Sequence, residues 1–361
     1  MKRICIDVSK KYDVVVSRGF LKETGKYVLE NISPCKVCLV SDDIVSDIYG
    51  SIVKESLVSK GFEVFSFNFT HGENSKTLTT VQDILNLMAI NNFTRSDIIV
   101  ALGGGIVGDI SGFAASIFLR GINFIQIPTT FLAAIDSSVG GKTGVNLESG
   151  KNLCGCFWQP SMVLCDCSTF STLPYDVFLD GVAEAIKYGC IFDKNLFDLF
   201  AQYDKTTIDT LISSETLLDV VSTCVSLKRH VVKADERDTG IRQLLNFGHT
   251  LGHAIEKCSN YSISHGHAVA IGMVIISQAS FSFGLSEQNC STAIANVLQG
   301  LGFQLDCPFT ASELTNVALK DKKRLGETLT VVIPSHIGDC KLQQISVDKI
   351  EALIQAGLNS L

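Results

Sequence analysis

Through the first half of the chain, short apolar runs alternate with stretches whose apolar residues recur every three or four positions. "KVCLVSD" (36–42), "FEVFSFNF" (62–69), "DIIVALGGG" (97–105) and "NFIQIPTT" (123–130) are rich in β-branched and aromatic residues, and each predicts a strand. Residues 77–90 carry helical spacing. Strands separated by helices predict a parallel sheet with helices on its faces. At the start, "RICIDV" and "YDVVVS" are split by "SKK", which predicts an antiparallel pair.

After Leu173-Pro174 the period changes. Residues 176–305 read mostly as helices, with "VAEAIKYG", "LLDVVSTCVSLKRHVV" and "AVAIGMVIISQASFSFG" as examples. One late run, "LTVVIP" (329–334), predicts a strand. The pattern therefore predicts an α/β nucleotide-binding domain over residues 1–172 and a mainly α-helical domain over residues 173–361. A length of 361 residues suits two cores better than one.

Hydrophobic residues make up 46% of the chain, so burial is ample and disorder is not expected. The formal net charge of -7 argues against a duplex nucleic-acid partner, though it leaves room for a local basic pocket. The N-terminal residues lack an apolar signal-peptide region, and no run is long enough to predict a membrane span. The 13 scattered cysteines suit a reducing cytoplasm. Cys35 and Cys38 form a C-x-x-C, but no second pair completes a zinc site, so they read as small apolar residues in or beside a strand.

"DIIVALGGGIVGDISGFAA" has the order strand, glycine turn, helix, and Gly103, Gly105 and Gly108 match G-x-G-x-x-G. Glycine lets backbone approach a pyrophosphate, and a helix start supplies open N–H groups. The acid that usually ends the next strand and holds a ribose is missing, since that strand ends "QIPTT". Either the ribose is held elsewhere or the nucleotide fold is a different one. Asp109 reads as a first-turn acid favoured by the helix dipole.

Residues 245–272 hold four of the seven histidines: His249, His253, His265 and His267. His249 and His253 are four apart, on one face of a helix, which is a common half of a zinc site. His265 follows a loop that can return to the same point. Catalytic zinc takes three protein ligands and leaves one position open. Glu184 offers a carboxylate, with Lys187 one turn later, in a helix otherwise apolar. Lys228, Arg229, Arg242 and Asn246, with Lys142, Lys151 and Asn152 in a glycine-rich segment, suit a polyanion carrying carboxylate or phosphate.

The stretches "GGGIVGDISGFAASIFLRG", "PTTFLAAIDSSVGGKTGVN", "GKNLCGCFWQP", "TLPYDVFLDGVAEAIKYG", "DERDTGIRQLLNFGHTLGHAIE" and "HGHAVAIGM" together resemble the 3-dehydroquinate synthases, within the sugar-phosphate cyclase group. The resemblance runs from about residue 36 to "DKK" at 321–323. It implies an NAD-binding α/β domain, a helical domain around zinc or cobalt, a homodimer, and a small phosphorylated substrate. The implied reaction turns 3-deoxy-D-arabino-heptulosonate 7-phosphate into 3-dehydroquinate and phosphate. Its steps are transient oxidation by NAD, phosphate elimination, re-reduction and an intramolecular aldol closure.

By that resemblance Glu184, His249 and His265 bind the metal, and His253 turns to the substrate phosphate. Lys142, Asn152, Asn246 and one of Lys322 and Lys323 share that phosphate, with Arg120 reaching it from the other subunit. Lys228 and Arg242 take the carboxylate, while Asp136 and Lys187 line the reacting hydroxyls. Asp238 stands at a catalytic position. The cofactor contacts implied are Asp42, Glu73, Lys76, Gly104, Gly105, Asp109, Thr129, Thr130, Lys142, Lys151, Thr169, Phe170, Ser171 and Thr172. Glu73 and Lys76 take the place of the missing ribose acid. Two positions depart from the family pattern. His267 stands where a Glu is usual, and an imidazole replaces a carboxylate behind His265 only in part. Asp238 replaces a Glu one methylene longer. The alternatives are an amino-dehydroquinate or inosose synthase, a metal-dependent alcohol dehydrogenase, and a non-catalytic NAD- and zinc-binding protein.

Overall fold

The computed structural model describes residues 1–320 and 327–359. They form two compact units. One comprises Met1–Leu173 with Ser213–Arg237, the other Pro174–Ile212 with Asp238–Leu361.

In the first unit the strands are β1 (Lys2–Ile6), β2 (Tyr12–Ser17), β3 (Lys36–Asp42), β4 (Glu63–Phe69), β5 (Ile98–Gly103), β6 (Asn123–Pro128), β7 (Lys142–Leu147), β8 (Gly150–Phe157) and β9 (Met162–Asp166). Seven of them make one sheet in the order β1-β2-β9-β6-β5-β3-β4, parallel except for the antiparallel pair β1–β2. Every residue of β5 is buried, as expected of a strand covered on both faces. In β3 the alternation is clear: Val37 and Leu39 join the core on one face, Cys38 and Val40 the core on the other. The chain steps from β3 out to β4, then reverses direction, crossing β3 to reach β5 and continuing the same way to β6 and β9. That reversal is a topological switch point, where open α/β sheets bind ligands at the carboxyl ends of their strands. The hairpin β7–β8 stands apart as a two-stranded sheet.

The helices that matter below are α1 (Leu78–Ile90), α2 (Gly105–Ile117), α3 (Tyr175–Phe192), α4 (Thr216–Ala234), α5 (His249–Cys258), α6 (His265–Ser282) and α7 (Val347–Leu358). The pattern of the sequence puts α4 in the helical domain; in the structure it belongs to the first unit. Its buried stripe, which includes Leu217, Val221, Cys224 and Val225, packs on β1, β2 and the turn Ala133–Ser137. Beyond it, Glu236 accepts hydrogen bonds from Ser9 N and Gln159 Nε2, at 3.0 and 2.8 Å. A period of 3.6 specifies which face is apolar and leaves the partner open.

In the second unit α6 is the central element. It contacts α3, α5 and α7 and is buried from Ala268 to Ser277 without interruption. A helix apolar all round belongs in a core. The strands β10 (Thr328–His336) and β11 (Asp339–Ser346) form an antiparallel ribbon. Among the described residues no helix is long and apolar enough to cross a membrane.

Candidate metal and cofactor sites

The carboxyl edge of the parallel sheet gathers most of the residues expected at the cofactor. Asp42 ends β3, Gly104 and Gly105 turn from β5 into α2, and Thr129 and Thr130 follow β6. The turn holding Thr169, Phe170, Ser171 and Thr172 follows β9. No side chain caps α2 at Gly104, so its first N–H groups are available to an anion. A β-carbon on Gly105 would lie 2.9 Å from Ser137 Oγ, so a larger residue here would have to turn that hydroxyl aside. Asp42 Oδ1 accepts from Val45 N at 2.8 Å, and burial raises its pKa. Phe170 is fully buried with its ring 5.7 Å from that of Phe131, and the hydroxyls of Thr169, Ser171 and Thr172 donate to the carbonyls of Asp166, Ser168 and Thr169.

Asp109 corrects one expectation. The helix starts at Gly105, so Asp109 opens its second turn and is no first-turn acid. Instead it accepts from Lys76 Nζ at 2.7 Å; burial raises its pKa and Lys76 opposes that rise. Lys76 also donates to Asn152 Oδ1 at 2.5 Å, and Glu73 accepts from Asn146 Nδ2 at 2.7 Å. The turn at residues 73–76 is thereby tied to α2 and to the β7–β8 hairpin. Lys142 and Lys151, at the start of each hairpin strand, are on the same element.

Lys228 is buried and donates to the backbone carbonyl and carboxylate of Asp136, at 2.6 and 2.8 Å. Both residues are in the first unit, whereas Arg242 and Asn246 are in the second. Arg120, Asn152 and Asp238 hold left-handed backbone, with φ of 69°, 57° and 60°. Asn and Asp tolerate this region through local hydrogen bonds, so of the three Arg120 is the unusual one there.

The second unit holds the residues expected at the metal. Helix α3 carries Glu184 and Lys187 one turn apart, both inaccessible, as an ion pair between Lys187 Nζ and Glu184 Oε2. His249 starts α5 just after Gly248, whose φ is 77°. Its Nδ1 donates to the Phe247 carbonyl at 3.1 Å, and its Nε2 lies 3.5 Å from Glu184 Oε1. His265 starts α6, with Nε2 at 3.6 Å from the same oxygen. The donor atoms of Glu184, His249 and His265 all lie within 4.8 Å of one another. One carboxylate oxygen and two imidazole nitrogens suit a catalytic divalent ion such as zinc, with a position left for substrate.

The two imidazoles are tuned in opposite directions. Burial and the charge of Lys187 push the His249 pKa well down, against Glu184. Burial also lowers that of His265, but hydrogen bonds and charges from Glu184 and Glu256 outweigh it and carry the value to about 10. His253 stays exposed, with its ring 5.4 Å from that of His249 and 6.0 Å from that of His265. The compact trio does not use it.

His267 differs from expectation. Its Nδ1 faces Ser264 Oγ at 2.9 Å and Asp180 Oδ1 at 3.5 Å, and its ring centre lies 4.8 Å from that of Phe303, tilted by 45°. The carboxylate behind His265 is Glu256, whose Oε2 lies 3.2 Å from His265 Nδ1. Sequence reasoning missed Glu256, although it is seven residues after His249 on one helix face. Arg242 is buried in the turn Ile241–Asn246, and Asn246 is exposed. Lys322 and Lys323 lie outside the described residues. The C-x-x-C is inert: Cys38 is inside β3, and burial lifts the Cys35 and Cys38 thiols to about 11 and about 12.

The family description "3-dehydroquinate synthase N-terminal" matches residues 66–180, and "3-dehydroquinate synthase C-terminal" matches residues 181–324. The chain belongs to the 3-dehydroquinate synthase family. It is 41% identical to the 3-dehydroquinate synthase of Streptococcus thermophilus, over 95% of this chain and 97% of that one. It is 40% identical to that of Streptococcus mutans, over 96% and 97%. Among solved structures it is similar to a 2-deoxy-scyllo-inosose synthase with carbaglucose-6-phosphate, NAD+ and Co2+, at 27% identity and a TM-score of 0.87, covering 99% of each chain. A 2-epi-5-epi-valiolone synthase from Streptomyces hygroscopicus with NAD+ and Zn2+ gives 26% and 0.87, covering 100% of each chain. A glycerol dehydrogenase of Schizosaccharomyces pombe, 15% identical with a TM-score of 0.65 over 96% of this chain and 88% of that one, shares the fold alone.

Proposed function

We propose that the chain is a cytoplasmic, homodimeric 3-dehydroquinate synthase that converts 3-deoxy-D-arabino-heptulosonate 7-phosphate to 3-dehydroquinate and phosphate. The observation that carries the reading is the donor set of Glu184, His249 and His265 in a chain 41% identical to a synthase of that name. NAD, when bound, supplies reversible hydride acceptance, and the divalent ion supplies Lewis acidity at the hydroxyl that is oxidised.

The chain's own residues bind and polarise. Asp42, Glu73, Lys76, Lys151, the Gly104-Gly105 turn and the hydroxyls after β6 and β9 hold the dinucleotide. Lys142, Asn152, Asn246, His253 and one of Lys322 and Lys323 surround the phosphate, and their donors stabilise its charge as the C–O bond breaks. Arg120 of a second copy completes that ring of donors. Arg242 and Lys228 take the carboxylate, and Asp136, which holds Lys228, lines the reacting hydroxyls with Lys187. Holding one substrate conformer makes the aldol closure a proximate reaction.

The likeness to an inosose synthase favours a second reading, a substrate without a carboxylate. Arg242, whose guanidinium suits bidentate recognition of a carboxylate, favours the acid. Phosphate release from the heptulosonate phosphate, with and without NAD and metal, tests the proposal. The expected result is release that needs both, with no net NADH. Release only from a hexose phosphate supports the second reading, and NADH rising in step with product makes the chain a dehydrogenase.

A further inference from the structure

We propose that Glu256 is a positioning residue for His265: its buried carboxylate holds Nδ1 and so presents Nε2 to the divalent ion. This rests on the reading of Glu184, His249 and His265 as the ligands. An imidazole binds a metal through one nitrogen, and the partner of the other nitrogen fixes the tautomer and the ring plane. His265 Nδ1 lies 3.2 Å from Glu256 Oε2, and Nε2 lies 3.6 Å from Glu184 Oε1. A carboxylate accepts, so Nδ1 carries the hydrogen and Nε2 keeps its lone pair for the ion.

The anchor is also drier than the ring it holds. The side chain of Glu256 is 8% exposed, that of His265 32%. Without the anchor the ring has solvent to turn into. Helix α5 brings ligand and anchor together, because His249 and Glu256 are two turns apart, roughly 10 Å along one face. The other ligating histidine leans on the neutral carbonyl of Phe247. Of the two, His265 has a carboxylate behind it, so it is the more basic ligand and the one most dependent on its support.

A rival use of the same atoms is a second cation bound by His253, Glu256 and His265, whose donor atoms also lie within 4.8 Å of one another. The geometry favours the anchor, since His265 Nδ1 and Glu256 are already at hydrogen-bond distance. Zinc affinity of the full chain, measured by chelator competition, decides the matter. Glu256→Gln is expected to bind zinc about 10–100-fold more weakly, with unchanged secondary structure and NAD affinity. In a His265→Ala background, read with a low-affinity zinc indicator, the same change is expected to add nothing. Equal losses in both backgrounds, or no loss in either, overturn the proposal. So does a second zinc ion that Glu256→Gln removes. Glu184→Gln and His249→Ala serve as controls. If they weaken zinc while Glu256→Gln does not, the positioning role alone fails; if neither weakens it, the ligand assignment itself is wrong.

Discussion

His249 and His265 reach one carboxylate oxygen of Glu184 from neighbouring helices, yet their protons behave differently. In metal-free protein His249 is neutral at ordinary pH and ready to ligate. His265 is protonated below about 10, and zinc must displace that proton. Zinc affinity is therefore expected to rise roughly tenfold for each unit by which the pH is raised, levelling off at about 10, with proton release on binding. Zinc titrations in a weakly buffered dye solution measure both quantities. A flat affinity with no proton released contradicts the charged state assigned to His265. At this scale the family motifs pointed to Glu184, His249 and His265, whose donor atoms the structure brings together, whereas spacing alone offers His253 as well. Sequence reasoning missed Glu256 because a lone Glu on an amphipathic helix reads as surface, and only the return of His265 buries it. It misjudged Asp109 because the start of α2 fell four residues before it.

Helices α5 and α6 meet at unusually short range. A β-carbon on Gly272 would lie 2.2 Å from the Gly248 carbonyl. Backbone cannot yield as a flexible side chain does, so Gly272→Ala must drive apart the helices that begin with His249 and His265. The expected cost is about 1–3 kcal/mol by overpacking. Weaker zinc binding with unaltered NAD affinity is expected alongside it. Denaturant midpoints and the two ligand titrations check this, and a variant with native zinc affinity shows that the close approach does not set the donor spacing. Most elements were legible here. β3, β5 and β6 follow the predicted runs to within a few residues, since buried parallel strands are continuous apolar runs; the edge strand β4 and the helix α1 match theirs through alternation and helical spacing. The β7–β8 hairpin was not, because its glycines carry no hydrophobic alternation. β11, "DCKLQQIS", is too polar for its period to show, and its pairing with β10 comes from the contact itself.

On the scale of the molecule, one stretch of chain changes allegiance. Ser213–Arg237 lies between two segments of the second unit in sequence but packs with the first. Ligands that bind only folded units stabilise them by mass action, about 2.7 kcal/mol at a hundredfold excess over Kd. NAD is thus expected to slow hydrogen exchange in Met1–Leu173 and also in Ser213–Arg237, while zinc acts on Pro174–Ile212 and on the residues from Asp238. Peptide-resolved exchange with each ligand alone reads this out. Protection of Ser213–Arg237 by zinc rather than NAD contradicts the division.

The order of most elements, the glycine turn, the candidate metal donors and the family itself were all written in local pattern, because period, turn chemistry and motif spacing act over a few residues at a time. Tertiary structure alone decided that α4 joins the sheet, that Lys228 is held by Asp136, and that Glu256 rather than His267 backs His265. Each of these depends on which apolar face meets which. Burial is a non-directional force that selects a face without naming its partner. Partner choice is made only when the whole chain packs, and with it the contacts that fix a tautomer or pin a charge.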